Sequence, residues 1–264
     1  MTDYRDELAI ARAAVAEGAE LLASAERGAV QLKGDRDFVT DLDRRIEEHI
    51  RGFLDRETSG VGFLGEESDD GSVDPGTGRV WALDPIDGTS NYVHGLPLCA
   101  VSLGLIQDGV PTVGVVSAPF LGMEYFAAEG GGGFCNGRRI HASDCGKLRD
   151  AIVSIGDYAT GADAEPKNLR RLGITTALAA GVERVRMFGS AALDLVWVAE
   201  GRTDACVSLS NKPWDTAAGV VIARESGAVV VELGGGAHSS RSDSTIAVGR
   251  PLAAQLLGLI ERVA

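Results

Sequence analysis

The sequence predicts an α+β N-terminal half followed by an α/β C-terminal half, and three observations point there. Two amphipathic helical stretches open the chain. Short strands joined by hairpin signals fill its middle, and beyond residue 150 strands and helices alternate.

The first helix is expected over residues 4 to 26, where Leu8, Ala9, Ala13, Val15, Ala16, Ala19, Leu22 and Ala23 recur at helical spacing and Gly28 supplies a stop. The second is expected at about 42 to 56, with Ile46, Ile50, Phe53 and Leu54 on one face. Thr40-Asp41-Leu42-Asp43 precedes it as a cluster of capping side chains, so Asp43 lies near a helix start. Val61 to Leu64 and Val80 to Leu83 read as short buried strands on either side of a polar loop at 68 to 79. Strands at about 98 to 107, 110 to 117 and 123 to 128 form an antiparallel meander, the first two joined by Asp108-Gly109. The glycines 130 to 133 and the turn Asn136-Gly137 close it.

The polar stretch from His141 to Asp150 marks the seam between halves at 1–145 and 146–264. Strands are expected at about 151 to 156, 183 to 187, 203 to 209, 228 to 232 and 245 to 248. Helices fall between them at 163 to 180, 190 to 200 and 214 to 226, and a last one at 250 to 262.

Composition narrows the function. The 264 residues are 45% hydrophobic and 24% charged, those of a globular chain. A formal charge of -13 repels phosphate backbones and anionic headgroups, which argues against nucleic-acid and membrane-surface partners. No stretch reaches the roughly 20 apolar residues of a membrane span, and the opening Met1 to Glu7 is acidic where a signal peptide would be basic. A cytoplasmic location is the expectation. Cys99, Cys135, Cys145 and Cys206 make no C-x-x-C pair, and His49, His94, His141 and His238 have no zinc-site spacing. A metal here would be held by carboxylates.

Asp84-Pro85-Ile86-Asp87-Gly88-Thr89 follows directly on an apolar strand, which puts two carboxylates where irregular backbone can aim them at one point. Asp-Pro and Asp-Gly are also ordinary turn dipeptides. Two further acidic clusters occur in similar settings, Gly65-Glu66-Glu67 after one strand and Trp214-Asp215 at the start of an Ala-rich helix. Glu66 and Glu67 equally suit a solvated acidic loop, and Asp215 a cap for a helix from 216. If the acids converge, their repulsion calls for hard divalent cations such as Mg2+ or Mn2+, and magnesium with phosphate implies phosphoryl transfer to water. No Walker loop, dinucleotide fingerprint or nucleophile elbow competes with that reading.

With these motifs the sequence resembles the magnesium-dependent, lithium-sensitive inositol monophosphatase family, within the larger group that includes fructose-1,6-bisphosphatases. The resemblance covers essentially the whole chain. It rests on Asp37-Phe38-Val39-Thr40-Asp41-Leu42-Asp43, Gly65-Glu66-Glu67-Ser68, Trp81 to Asn91, and Trp214-Asp215-Thr216-Ala217-Ala218-Gly219. It implies the family's sugar-phosphatase fold in α-β-α-β-α layers, often as a homodimer. It also implies a first Mg2+ on Glu66, Asp84 and the Ile86 carbonyl, a second on Asp84, Asp87 and Asp215, and room for a third near Glu66. The substrate phosphate would lie on the Gly88 and Thr89 N–H groups, with water polarised by Thr89 and Asp43. Lys33 stands near the position of the family's lysine at the metal site.

Departures concern the substrate. The family's inositol phosphatases carry a glutamate seven residues before the Asp215 position, and here Ser208 stands there. Within Phe188 to Ala192, Ser190 and Ala191 are the implied substrate contacts. The insert Leu209-Ser210-Asn211-Lys212-Pro213 offers a cation and an amide for another polyol, a sugar or histidinol, although Lys212 equally suits a solvated loop. The expectation is therefore a phosphomonoesterase acting on a small polyol-type phosphate. A histidinol- or sugar-phosphate phosphatase, or a non-catalytic metal- and phosphate-binding regulator, are the alternatives.

Overall fold

A computed structural model describes residues 4–25, 30–34, 37–209 and 212–263. Helices α1 (Arg5–Ser24) and α2 (Asp41–Glu57) pack together across Gly18, where a Cβ would come within 2.7 Å of Ile50 Cδ1. Between them runs an antiparallel hairpin, β1 (Val30–Gly34) with β2 (Asp37–Thr40), which the periodicity did not predict. Lys33 lies in β1, and its side chain and those of 37 to 39 lie outside the described ones.

The two helices cover one face of a seven-stranded sheet. Its strands run in chain order: β3 (Gly62–Gly65), β4 (Arg79–Asp87), β5 (Ala100–Gln107), β6 (Val110–Ala118), β7 (Met123–Ala128), β8 (Gly132–Cys135) and β9 (Arg138–Arg139). Only the β3–β4 pair is parallel. The meander therefore does not close at the glycine run, as expected from sequence; those glycines turn the chain into β8, because Gly130 and Gly132 take positive φ without a Cβ penalty. Alternation along β4 serves two cores. Trp81 and Leu83 join the α1/α2 side, while Val80 and Ala82 meet Trp214 and Ala217 on the other.

A second sheet holds β10 (Ile152–Ile155), β11 (Arg184–Arg186), β12 (Ala205–Ser208), β13 (Val229–Val231) and β14 (Thr245–Val248) in the order β11-β10-β12-β14-β13. Between the sheets lie α5 (Ala191–Ala199) and α6 (Pro213–Glu225); on the outer face lie α4 (Ala164–Gly181) and α7 (Ala253–Glu261). In β12, Ala205 and Val207 face α4 and α7, and Cys206 faces α5 and α6. The result is five layers, α-β-α-β-α. Short helix α3 (Thr89–His94) follows β4 directly. The last helix begins at Ala253, later than expected, because Arg250–Leu252 forms a 3-10 turn around Pro251.

Two opposed glycines set the α6 position. Gly104 of β5 pairs with Gly114 of β6. A Cβ on Gly104 would come within 2.7 Å of Ala217 Cβ, and one on Gly114 within 2.3 Å of the Ala218 carbonyl oxygen. The notch lets α6 lie against the sheet backbone, and Asp215 is carried in its first turn.

Candidate active site

The strand β4 does not stop before the Asp84-Pro85-Ile86-Asp87 motif, as the sequence suggested, but runs through it. Asp84 pairs with Ser102 and Asp87 with Ala100, so β4 holds one residue more than β5 over this interval. Strict alternation would send residues three apart to opposite faces. The bulge restores them to one side: Ile86 turns into the α1/α2 core, and Asp84 and Asp87 face the α6 side. The Ile86 N–H donates to Asp84 Oδ1 at 3.0 Å and fixes this turn.

Asp87 sits on the start of α5. It accepts from the Ser190 hydroxyl, from the Ala191 N–H at 3.0 Å and from the Ala192 N–H at 3.0 Å. Ser190 and Ala191, two of the residues that sequence reasoning assigned to substrate, thus hold Asp87 while also lining the pocket beside it. Asp215 is the third residue of α6, and its Oδ2 accepts from the Lys212 N–H at 2.7 Å. The helix begins at Pro213 and not at 216, so Asp215 supports the helix start from inside its first turn. Ser210 and Asn211 of the insert lie outside the described residues, and Lys212 is exposed.

Asp43 is built the same way. It is the third residue of α2, and its Oδ2 accepts from the Thr40 N–H at 2.8 Å and from the Thr40 hydroxyl. Its other oxygen, Oδ1, lies 3.3 Å from the Thr89 hydroxyl, which also lies 2.9 Å from the Ile86 carbonyl oxygen. One hydroxyl proton therefore has two acceptors. Glu66 follows β3, and its N–H donates to the Leu83 carbonyl at 3.2 Å. Buried Glu47 of α2 accepts from the Glu67 N–H at 2.8 Å and steadies this segment. A Cβ on Gly65 would come within 2.4 Å of the Glu47 carboxyl, so a larger residue there displaces that carboxyl from the Glu67 N–H.

The acids share one field. Asp84 is 4% exposed, and burial, then the charges of Glu66, Asp87 and Asp215, drive its carboxyl well above the usual range. Burial pushes Asp87 to about 6 against the pull of its Ser190, Ala192 and Ala191 donors, and pushes Asp215 to about 8. Burial also raises the nearby Cys99 thiol to about 12, which removes it as a thiolate. Among the described residues no three His, Cys, Asp or Glu side chains close around a single point. None of Asp84, Asp87 and Asp215 forms an ion pair with lysine or arginine among those residues. Crowded, oxygen-only negative charge, which the Lys212 charge offsets only in part at Asp215, fits a hard divalent cation.

Beside the acids opens a pocket of about 360 Å³. Asp87, Ser190, Ala191, Ser208 and Asp215 line it, so β4, α5, β12 and α6 contribute to one space. Gly88 stands at the turn into α3 with φ of 88°, and a Cβ there would meet the Leu98 carbonyl oxygen at 2.7 Å and that of Gly189 at 3.1 Å. Sequence reasoning missed Asp157, Tyr158 and Arg171, which also line this pocket, and Asp194 of α5. Asp194 is 5% exposed and raised to about 7 by burial. The available signal was a lone acid inside an otherwise apolar nine-residue helix. The Thr40 cap was legible in Thr-x-x-Asp before an apolar run.

The layered fold is shared with solved enzymes. An inositol monophosphatase from Anabaena (Nostoc) superposes with a TM-score of 0.86 at 29% identity, covering 100% of this chain and 98% of that one. The chain matches the inositol monophosphatase family over residues 3–263, and it belongs to that family. It is a phosphoric monoester hydrolase. Curated relatives include an inositol-1-monophosphatase of Mesorhizobium japonicum, 36% identical over 88% of this chain and 86% of the relative. A histidinol-phosphatase of Mycobacterium tuberculosis is 38% identical over 91% of this chain and 93% of the relative. No helix among the described residues is long and apolar enough to cross a membrane.

Proposed function

We propose that this phosphatase hydrolyses a small polyol-type phosphate with the help of Mg2+ held by Glu66, Asp84, the Ile86 carbonyl, Asp87 and Asp215. The observation that carries the reading is the β4 bulge, which turns Asp84 and Asp87 to one side, where the charges of Glu66 and Asp215 add to theirs. Two ions suit this donor set, with Mn2+ as a substitute and a third ion near Glu66. Bound there, the metal supplies charge neutralisation for the phosphate and lowers the pKa of attacking water.

The protein groups do the rest. In this reading the Thr89 hydroxyl turns its proton from the Ile86 carbonyl to Asp43 Oδ1 and its oxygen accepts a hydrogen bond from the attacking water, so the pair orients the water toward phosphorus and takes up its proton. The Thr40 N–H and hydroxyl on Oδ2 hold the Asp43 carboxylate in that direction. The Gly88 and Thr89 N–H groups offer donors to the phosphate oxygens, and Ser190, Ala191 and Ser208 border the leaving group. The first and second halves of the chain, meeting near residue 145, each supply part of this site, and two copies of the chain assemble as a dimer in the same reading.

A second reading, histidinol phosphate as substrate, is supported by the histidinol-phosphatase relative and by Ser208 in place of glutamate. Phosphate release from inositol, sugar, histidinol and nucleotide monophosphates, with Mg2+, with EDTA and with added Li+, tests both. Metal-dependent, lithium-sensitive release is expected; release that persists undiminished in EDTA would overturn the metal reading.

A further inference from the structure

Glu47 of α2 is a buried acid that the reaction does not use. It is 4% exposed and lies one turn after Asp43 on the buried face of the helix. Among the described residues it forms no ion pair. A carboxyl in such a place is costly unless hydrogen bonds offset its lost hydration. Its contacts fall on both neighbours of Glu66: Oε2 accepts from the Glu67 N–H at 2.8 Å, and a Cβ on Gly65 would come within 2.4 Å of the same oxygen. The Glu66 N–H donates to the Leu83 carbonyl, next to Asp84 in β4. The backbone at Glu66 is therefore gripped from two directions, by the strand that carries Asp84 and by the helix that carries Asp43. That helix is a firm mount, since a capping box closes its N-terminus and Ile46 and Ile50 pack it against Gly18 of α1.

We propose that Glu47 is a positioning residue for the metal site, which through the Glu67 N–H holds Glu66 in register with Asp84. This rests on the reading above, in which Glu66 and Asp84 are ligands of one Mg2+. Glu47 does not line the substrate pocket, and it acts only through the segment it holds. A ligand whose backbone is already fixed need not be ordered when the ion binds, so that entropy is lost in folding and not in binding. Gly65 belongs to the same device, because the missing Cβ leaves the Glu47 carboxyl room to reach the Glu67 N–H.

Glu47→Met keeps the length of the side chain and removes the acceptor, whereas Glu47→Gln keeps an amide oxygen for the same N–H. Mn2+ is the probe, its uptake read by calorimetry and by the paramagnetic resonance signal of the free ion, so no turnover is needed. Glu47→Met is expected to bind Mn2+ about 10- to 100-fold more weakly than wild type, and Glu47→Gln within about threefold of it. Phosphate release is expected to follow. In Glu47→Met the half-saturating Mg2+ concentration rises by the same factor, while kcat at saturating Mg2+ stays within about threefold of wild type, a split that a general loss of structure does not give. Gly65→Ala displaces the carboxyl without removing it, so it weakens Mn2+ binding as well and covers the case in which Glu47→Met fails to fold. Wild-type Mn2+ affinity in folded Glu47→Met or Gly65→Ala, or an equal loss in Glu47→Gln and Glu47→Met, would overturn the proposal alone. Wild-type protein that takes up no Mn2+ overturns the metal reading, and this proposal with it.

Discussion

The side-chain amide of Asn91 donates to the Phe188 carbonyl at 2.7 Å, across 97 residues of sequence. The same nitrogen lies 2.8 Å from the Leu98 carbonyl oxygen and 3.3 Å from that of Gly189. Asn91 follows the Gly88 turn, and Gly189 precedes the Ser190, Ala191 and Ala192 donors that hold Asp87. One amide therefore sets the acid at the end of β4 against the helix start that orients it.

Asn91→Leu leaves these carbonyls without their donor, at a cost of about 1–3 kcal/mol. The Mg2+ concentration for half-maximal activity is expected to rise and kcat to fall, since Asp87 loses its fixed direction. Thermal unfolding and a Mg2+ titration of activity check the two effects separately. An unchanged Mg2+ requirement would show that the clamp is structural only.

Thr89→Val keeps the size of the side chain and removes the hydroxyl that lies between Asp43 Oδ1 and the Ile86 carbonyl. A drop in kcat of about 10²–10⁴ is expected, with a much smaller change in KM and in melting temperature. A loss confined to KM would assign Thr89 to binding rather than to proton transfer.

The acid cluster makes metal-free stability depend on pH. Folding raises the Asp84, Asp87 and Asp215 carboxyls, so their contribution is full below the usual carboxylate range and is lost as pH rises through about 6 and about 8. In EDTA the wild type should melt lower at pH 8.5 than at pH 5.5, and Mg2+ should restore it at the higher pH. Asp84→Asn keeps an acceptor for the Ile86 N–H but removes one charge. Its metal-free form is expected to melt about 2–4 °C higher than wild type at pH 8, with little further gain from Mg2+. Differential scanning calorimetry reads both.

Gly114→Ala places a methyl group on the α6 backbone at Ala218, where no side chain can yield. Overpacking of about 1–3 kcal/mol is expected, together with loss of activity as α6 and Asp215 are pushed from the sheet. Activity retained at wild-type level in the folded variant would show that α6 moves without carrying the site.

His238 gives the opposite pH sign. Burial, helped by the Arg224 charge, lowers its imidazole to about 4, and its Nε2 pairs with the Thr245 hydroxyl at 2.8 Å. A depressed folded value contributes stability above the unfolded value of about 6.5, and the contribution is lost as pH falls toward 4, on the order of 3 kcal/mol in all. His238→Gln is expected to flatten the fall in stability between pH 6.5 and 4.5, measured by urea unfolding at each pH.

Helical spacing of apolar residues in α1 and α2, alternation in the strands and the Asp108-Gly109 turn were legible because they are local, each decided within a few residues of chain. The acids were legible as residues at element ends for the same reason. Their shared direction was not: a one-residue bulge decides which face Asp87 takes, and the bulge exists only in the pairing of β4 with β5. Asp215 looked like a cap and is seated as one, while its place in the site depends on the notch made by Gly104 and Gly114 on two other strands. The hairpin β1–β2 lacked an apolar alternation long enough to read. Arg171 sat in a helix whose surroundings no spacing reveals, because burial of a charge is set by what packs over it, whereas Asp194 was legible only as a lone acid in an apolar helix. The sequence by itself determined the secondary elements and the chemical groups; tertiary packing decided which of those groups meet, since convergence of distant chain segments is a property of the packed layers and not of any one of them.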